Sequence, residues 1–247
     1  MKNYVIGIAG QKHSGKDTVA SMINYIFAVG ISRASYSDYL VRKASIEYTY
    51  KDRIVHFADG LKDVLSIIYN IPREYFDNHI YKDKKYYDIV SNKFIDEDIV
   101  NSIRNNCHVI CLNELLAFNL NYILSNAKEK KIYIKLRTLM QYFGTNICRT
   151  MLSDDIWIKQ TMTKIVDVSQ SKRVCIVPDV RYLNEKNAIR MINNSIYGVL
   201  IKVNRKSCDK DEHSSESINF TTDYEIDNNG TLVQLFYKVL EICQNII

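Results

Sequence analysis

Gly10, Gly15 and Lys16 stand at the spacing G-x-x-x-x-G-K. Glycines at these points let a backbone curl until its N–H groups converge on an anion, and the lysine brings a mobile ammonium to β- and γ-phosphates. The alternative is a glycine-containing turn with a solvated lysine. The residue after the lysine is ordinarily a Ser or Thr that ligates Mg²⁺. Here it is Asp17, followed by Thr18. A carboxylate is a hard ligand suited to Mg²⁺ but adds repulsion beside phosphates, so Asp17 reads as a metal-side residue, a subgroup mark, or both.

A second chemical cluster follows an apolar run, Val174 to Val177, which ends in Pro178, Asp179 and Arg181. A strand ending in aspartate delivers a carboxylate to the sheet edge where a metal and phosphates gather, and proline is tolerated there. Arg181 offers a two-pronged donor for phosphate. The alternatives are a turn cap for Asp179 and a structural ion pair for Arg181. Arg137 and Gln141 lie four apart, on one face of an expected helix, Ile134 to Tyr142. They are candidates for a second phosphate, or else a plain surface pair. Lys62, in the first turn of a helix expected over Gly60 to Tyr69, opposes the helix dipole; it either meets an anion or is solvated.

These side chains require a particular frame. Val5, Ile6, Ile8 and Ala9 make a buried strand leading into the glycine loop. Val19, Met22, Ile23 and Ile26 give the next helix its apolar face. Arg53 to Phe57 reads as a second strand. Residues 30–53 show little periodicity. The Lys/Tyr-rich run at 81–87 reads as an exposed loop rather than a nucleic-acid surface. Val109 to Leu124 reads as a buried helix within a long insertion, 72–131. Gly144-Thr145 breaks one helix from a second that carries Arg149, and Asp154 caps a third holding Trp157. Asn184 to Met191 is a helix, Tyr197 to Val203 and Asp223 to Asp227 are strands, and Thr231 caps a closing helix. Strands alternating with helices predict a parallel sheet covered on both faces.

At 247 residues, with 47% apolar and 25% charged residues, the chain can bury a sizeable core as one domain with an insertion. Its net charge of +5 suits an anionic small molecule as well as it suits nucleic acid. The six scattered cysteines read as free thiols of a reducing compartment. Cys107, His108 and Cys111 resemble half a zinc site without a second pair. The start of the chain does not resemble a signal peptide, and no apolar run reaches membrane-spanning length. The scarcity of proline and glycine beside abundant Asn, Ile, Lys and Tyr suggests an AT-rich genome.

Seven ordered segments resemble the deoxynucleoside monophosphate kinases of the bacteriophage type: GQKHSGKDT at 10–18, HFADGLKDVL at 56–65, RTLMQYFGT at 137–145, Trp157, VPDVR at 177–181, HSSE at 213–216 and DNNGTL at 227–232. The G-K-D-T variant is itself a mark of that group. The resemblance fails over about 72–131. It implies an α/β phosphate-loop kinase fold in one domain, 1–247, with a sheet of five parallel strands, a helical substrate-side insertion and a lid over 204–217 holding His213 and Glu216. It implies ATP and Mg²⁺, with a deoxynucleoside monophosphate as acceptor. Gly10, His13, Ser14, Gly15, Lys16, Asp17 and Thr18 would then hold ATP, with Asn228, Asn229 and Gly230 near its adenine. Lys62, Arg137, Gln141 and Arg181 would face the acceptor, and Trp157 would pack on that side. Arg149 matches an arginine that only some members have. Lys16, Asp179 and Arg181 would be catalytic, and Asp17 and Asp179 metal-side. The implied partners are small nucleotides, with no membrane and no required nucleic acid; a homodimer is compatible, and the location is a cytoplasm, the host's for a viral chain. The rivals are another small-molecule kinase, resembling phosphomevalonate or dephospho-coenzyme A kinases, and a kinase fold retained for nucleotide sensing or assembly.

Overall fold

The strand that carries the glycine loop is covered on both sides, and its neighbours follow from that. A computed structural model describes residues 2–88, 91–104, 109–111, 131–192, 195–206 and 220–247. The chain divides into two units, residues 1–59 with 155–247, and residues 60–154.

In the first unit, β1 (Asn3–Gly10) is buried from Tyr4 onwards. It lies between β6 (Val174–Val180) and β7 (Ile196–Asn204), and β8 (Tyr224–Asp227) extends the sheet; the order is β6-β1-β7-β8. All three pairings are parallel. Parallel strands buried on both faces need apolar side chains of both parities. Tyr4, Ile6 and Ile8 pack with Val19, Met22, Ile23 and Ile26 of α1 (Lys16–Val29), and with Leu235, Phe236 and Val239 of the closing helix Leu232–Ile246. Val5 and Ala9 join Cys175, Val177, Ile165 and Ile189 on the opposite side. Each such fully buried aliphatic side chain contributes roughly 1.5–3 kcal/mol. The closing helix starts at Thr231 as expected, its hydroxyl accepting from the Gln234 N–H at 3.2 Å.

Among the described residues the sheet has four strands, not five. Arg53 to Phe57 runs where a fifth would stand but makes a single parallel bridge, Ile54 to Ile176. The reason is local: the Phe57 and Ala58 N–H groups bond to the Asp179 carboxylate instead of to a strand. The same place holds an irregularity in β6, where Gly7 pairs with Val177 but Ala9 with Val180. Pro178 has no N–H to offer the ladder, and the extra residue is taken up as a bulge. The stretch 30–53, unpatterned in sequence, contains α2 (Tyr36–Thr49), capped by the Ser35 hydroxyl. Only Tyr39 and Ile46 of this helix are buried, too few to show a period.

The second unit begins with α3, whose full span is Asp59–Tyr69. Leu61 and Leu65 are its buried apolar residues, whereas Val64 and Ile68 of the expected stripe are exposed. The insertion is not purely helical. It holds a four-stranded sheet in the order β3-β2-β5-β4, built from β2 (Lys85–Asp88), β3 (Lys93–Asp96), β4 (Val109–Cys111) and β5 (Lys131–Ile134). α4 (Glu97–Arg104) follows β3 directly. The Lys/Tyr run is thus not wholly an exposed loop: Tyr86 and Tyr87 are buried. Tyr87 packs on Phe94 at 5.2 Å between ring centroids, and Lys135 sits over the Tyr86 ring. The expected helix from Val109 is a strand over its first three residues, and 112–130 lie outside the described residues.

Ile134 closes β5, so the next helix, α5 (Leu136–Gln141), starts later than expected. It does not break at Gly144-Thr145 but continues as a wide π-helix over Tyr142–Leu152. A Cβ on Gly144 would stand 2.7 Å from Leu61 Cδ2, so this glycine serves close packing rather than a break. Back in the first unit, α6 (Ile156–Lys172) begins after Asp155, not Asp154, and the Asp155 side chain makes no capping bond. Asp155 instead accepts from Asn184, in α7 (Leu183–Arg190), at 3.0 Å. The buried thiols of Cys148, Cys175 and Cys243 are free. Cys107, His108 and most of the expected lid, residues 207–219 with His213 and Glu216, lie outside the described residues.

Candidate functional site

The glycine loop leaves β1 at Gly10 and enters α1 at Lys16. Two residues carry the turn in the left-handed region, His13 at φ 62° and Gly15 at φ 98°. A side chain at Gly15 would be strained and would stand 2.4 Å from Asn228 Nδ2. That amide donates to the Ser14 carbonyl at 2.8 Å. Asn228 therefore braces the loop from the turn after β8, which places the 227–232 motif beside the 10–18 motif. Asn229 is turned back into its own turn, accepting from Lys206 N–H and donating to Asp227. Gly230 lies against the Gln234 side chain.

Lys16 folds over the loop. Its ammonium donates to the Gly10 carbonyl at 2.6 Å and the Gln11 carbonyl at 2.7 Å. Ser14 is fully buried, and among the described residues its hydroxyl has no hydrogen-bond partner. A buried polar group of this kind is costly unless something satisfies it. Asp17 is exposed in the first turn of α1 and Thr18 is partly buried.

Asp179 lies at the bulge of β6. Its two oxygens accept from Phe57 N–H and Ala58 N–H, each at 3.0 Å. The carboxylate thus holds the chain immediately ahead of α3. Past the strand end, Glu185 is buried, and its Oε2 accepts from Arg181 N–H at 2.8 Å and Tyr182 N–H at 3.1 Å. The backbone from which Arg181 projects is fixed by this buried acid. Sequence reading missed Glu185; an acid three residues after Tyr182, at the third helical position, was its signal. Trp157 is buried in the first turn of α6, its carbonyl accepting from Thr161 Oγ1.

In the second unit Lys62 is buried, not solvated, and donates to Asp77 at 2.8 Å. Asp77 also accepts from Arg73. Burial alone would raise the Asp77 carboxyl, but Lys62 and Arg73 outweigh it and hold it below its ordinary value. Arg137 grips Asp83 side-on through Nε and Nη2. Gln141 ends α5 on the same face, four residues on. Arg149 is buried and donates to the Asp154 carbonyl at 2.9 Å, tying down the end of the π-helix. The structure therefore brings Lys62 onto Asp77 and Arg137 onto Asp83, the latter in the run 81–87 that reads in sequence as an exposed loop. Among the described residues, no group of three or more His, Cys, Asp or Glu side chains could cage a metal ion. Mg²⁺ asks for less, one or two carboxylates with substrate phosphates completing its shell.

The chain was compared with known proteins. Residues 4–239 match the family of deoxynucleotide monophosphate kinases. The deoxynucleoside-5'-monophosphate kinase of Escherichia phage T5 is 24% identical over 230 residues, which covers 86% of this chain and 84% of the phage enzyme. The match runs through the glycine loop, the bulged strand with Asp179 and Arg181, and the cation-bearing segment of the second unit. The chain belongs to the deoxynucleotide monophosphate kinase family, and is a phosphotransferase.

Proposed function

We propose that the chain transfers the γ-phosphoryl group of ATP to a deoxynucleoside monophosphate, giving the diphosphate for DNA synthesis. The observation that carries this reading is the loop itself: a strand-to-helix turn with left-handed His13 and Gly15, a lysine lying over its carbonyls, and an unsatisfied buried serine hydroxyl. Gly10 to Thr18 hold the phosphates of ATP, and the turn Asn228 to Gly230, braced to the loop, lies towards its base. The positive end of α1 adds to the attraction for anions.

The acceptor phosphate is already an oxyanion, so the reaction needs positioning and charge neutralisation rather than a strong base. Lys16 exchanges its loop carbonyls for phosphate oxygens. Lys62, Arg137 and Gln141 orient the acceptor, and Arg181, on a backbone fixed by Glu185, stabilises charge on the transferring group. Asp17 and Asp179 are the carboxylates that would hold Mg²⁺. When bound, that ion neutralises phosphate oxygens as a Lewis acid. Trp157 and Arg149 are placed as supports, the latter through its clamp on Asp154. No helix among the described residues is long and apolar enough to cross a membrane. The reaction belongs in a cytoplasm that supplies ATP, the host's if the chain is viral.

The test is ADP release from ATP and Mg²⁺ with each of the four deoxynucleoside monophosphates, against phosphomevalonate and dephospho-coenzyme A. Turnover is expected with at least one deoxynucleotide and with neither of the others. Lys16→Ala is expected to abolish that turnover while leaving the circular dichroism spectrum and Tm unchanged. A variant with near-normal turnover would remove Lys16 from the phosphates and defeat the reading.

A further inference from the structure

Lys82 stands in the short π-turn Ile80–Lys84, between the two carboxylates that engage the cations of the second unit. Its N–H bonds to the Asn78 carbonyl at 2.9 Å, which fixes the backbone at this point. Asp77 is occupied by Lys62 and Arg73. Asp83 is occupied by Arg137, with His79 also 3.5 Å away. Among the described residues, no hydrogen bond or ion pair reaches the Lys82 ammonium. The side chain is nevertheless partly buried. Burial pushes its pKa down, the Arg137 and Lys62 charges push it further, and the Asp83 and Asp77 carboxylates offset only part of this.

Four cations, Lys62, Arg73, Lys82 and Arg137, are gathered about three carboxylates, and pairing Lys62 with Asp77, Arg73 with Asp63 and Arg137 with Asp83 leaves Lys82 as the cation in excess. An ammonium withdrawn from water beside two like charges destabilises a fold unless an anion compensates it. A phosphate monoester, with about two negative charges and three acceptor oxygens, matches that deficit. We propose that Lys82 binds the acceptor's phosphate, acting with Lys62 and Arg137 as the third cation of that site. All three residues belong to the second unit, and the glycine loop belongs to the first. This rests on the kinase reading above and adds a residue to it.

The experiment is steady-state kinetics of Lys82→Met and Lys82→Gln, each varied in the preferred deoxynucleotide at saturating ATP and then in ATP at saturating deoxynucleotide, with Tm measured alongside. The acceptor KM is expected to rise about 10- to 100-fold, the loss of one charge-assisted contact. The ATP KM is expected to stay within about twofold, and Tm to be unchanged or raised, since a compressed cation has been removed. Lys82→Arg should recover part of the loss. An unchanged acceptor KM in either folded variant, or a rise shared equally by ATP and accompanied by a lower Tm, overturns the role of Lys82 while wild-type turnover leaves the kinase reading standing. Absence of wild-type turnover with all four deoxynucleotides overturns the kinase reading, and the role of Lys82 falls with it.

Discussion

Asp179 shows how one side chain can be asked to do two jobs. Each oxygen accepts one backbone N–H, which leaves lone pairs for a metal but makes the carboxylate a structural tie as well. Asp179→Asn retains one acceptor oxygen and should lose one of the two bonds. We expect a stability loss of about 1–3 kcal/mol in denaturant unfolding, together with a fall in kcat of about 10²-fold or more if the metal is also lost. Mg²⁺ titration of turnover separates the two: a variant that is less stable but titrates as the parent does leaves only the tie, and Asp17 becomes the metal-side residue. Asp77 carries a pH dependence. Its folded pKa lies below the ordinary 3.8, so its pairing contributes fully above that value and is lost as pH falls through the depressed one. Wild type should be more stable than Asp77→Asn at pH 7, and the gap should close in paired unfolding curves as the pH is lowered through the depressed value. At Cys175 and Cys243 burial pushes the thiols up to about 12, so neither supplies a thiolate at neutral pH.

The glycine in the first turn of the π-helix illustrates why some elements were legible from sequence and others were not. β1, α1, β6, β7 and the Thr231-capped helix follow from periodicity and caps, because a residue buried on a regular element leaves a regular trace. Gly144 left the opposite impression. In sequence it reads as punctuation, whereas its role is to let Leu61 approach, a contact between residues 83 positions apart that no local pattern encodes. The same holds for the strand Lys85–Asp88, where lysines flank rings that are buried by partners from other strands, and for Arg53 to Phe57, whose ladder is cut short by a carboxylate distant in sequence. Of the candidate site, the loop residues were readable because spacing alone defines them; the anchors Glu185 and Asn228 and the pairings of Lys62 and Arg137 depend on tertiary neighbours. Gly144→Ala should cost about 1–3 kcal/mol by overpacking, and Leu61→Ala in the same chain should recover part of it. The double-mutant cycle in urea is the check, and strict additivity would mean that the two residues do not interact.

At the scale of the whole molecule, the first unit is made of two stretches of chain, 1–59 and 155–247, with the second unit threaded as one continuous piece between them. The strand that carries the glycine loop is therefore made well before either of its sheet partners: β6 starts at Val174 and β7 at Ile196. During synthesis at roughly 5–20 residues per second, β1 emerges about 8 to 35 seconds before it has anything to pair with. Val5, Ile6, Ile8 and Ala9 spend that interval as an exposed apolar strand. An unpaired apolar strand of this kind favours aggregation of the nascent chain until β6 is made, and nucleotide, which stabilises only a formed loop, comes too late to protect it.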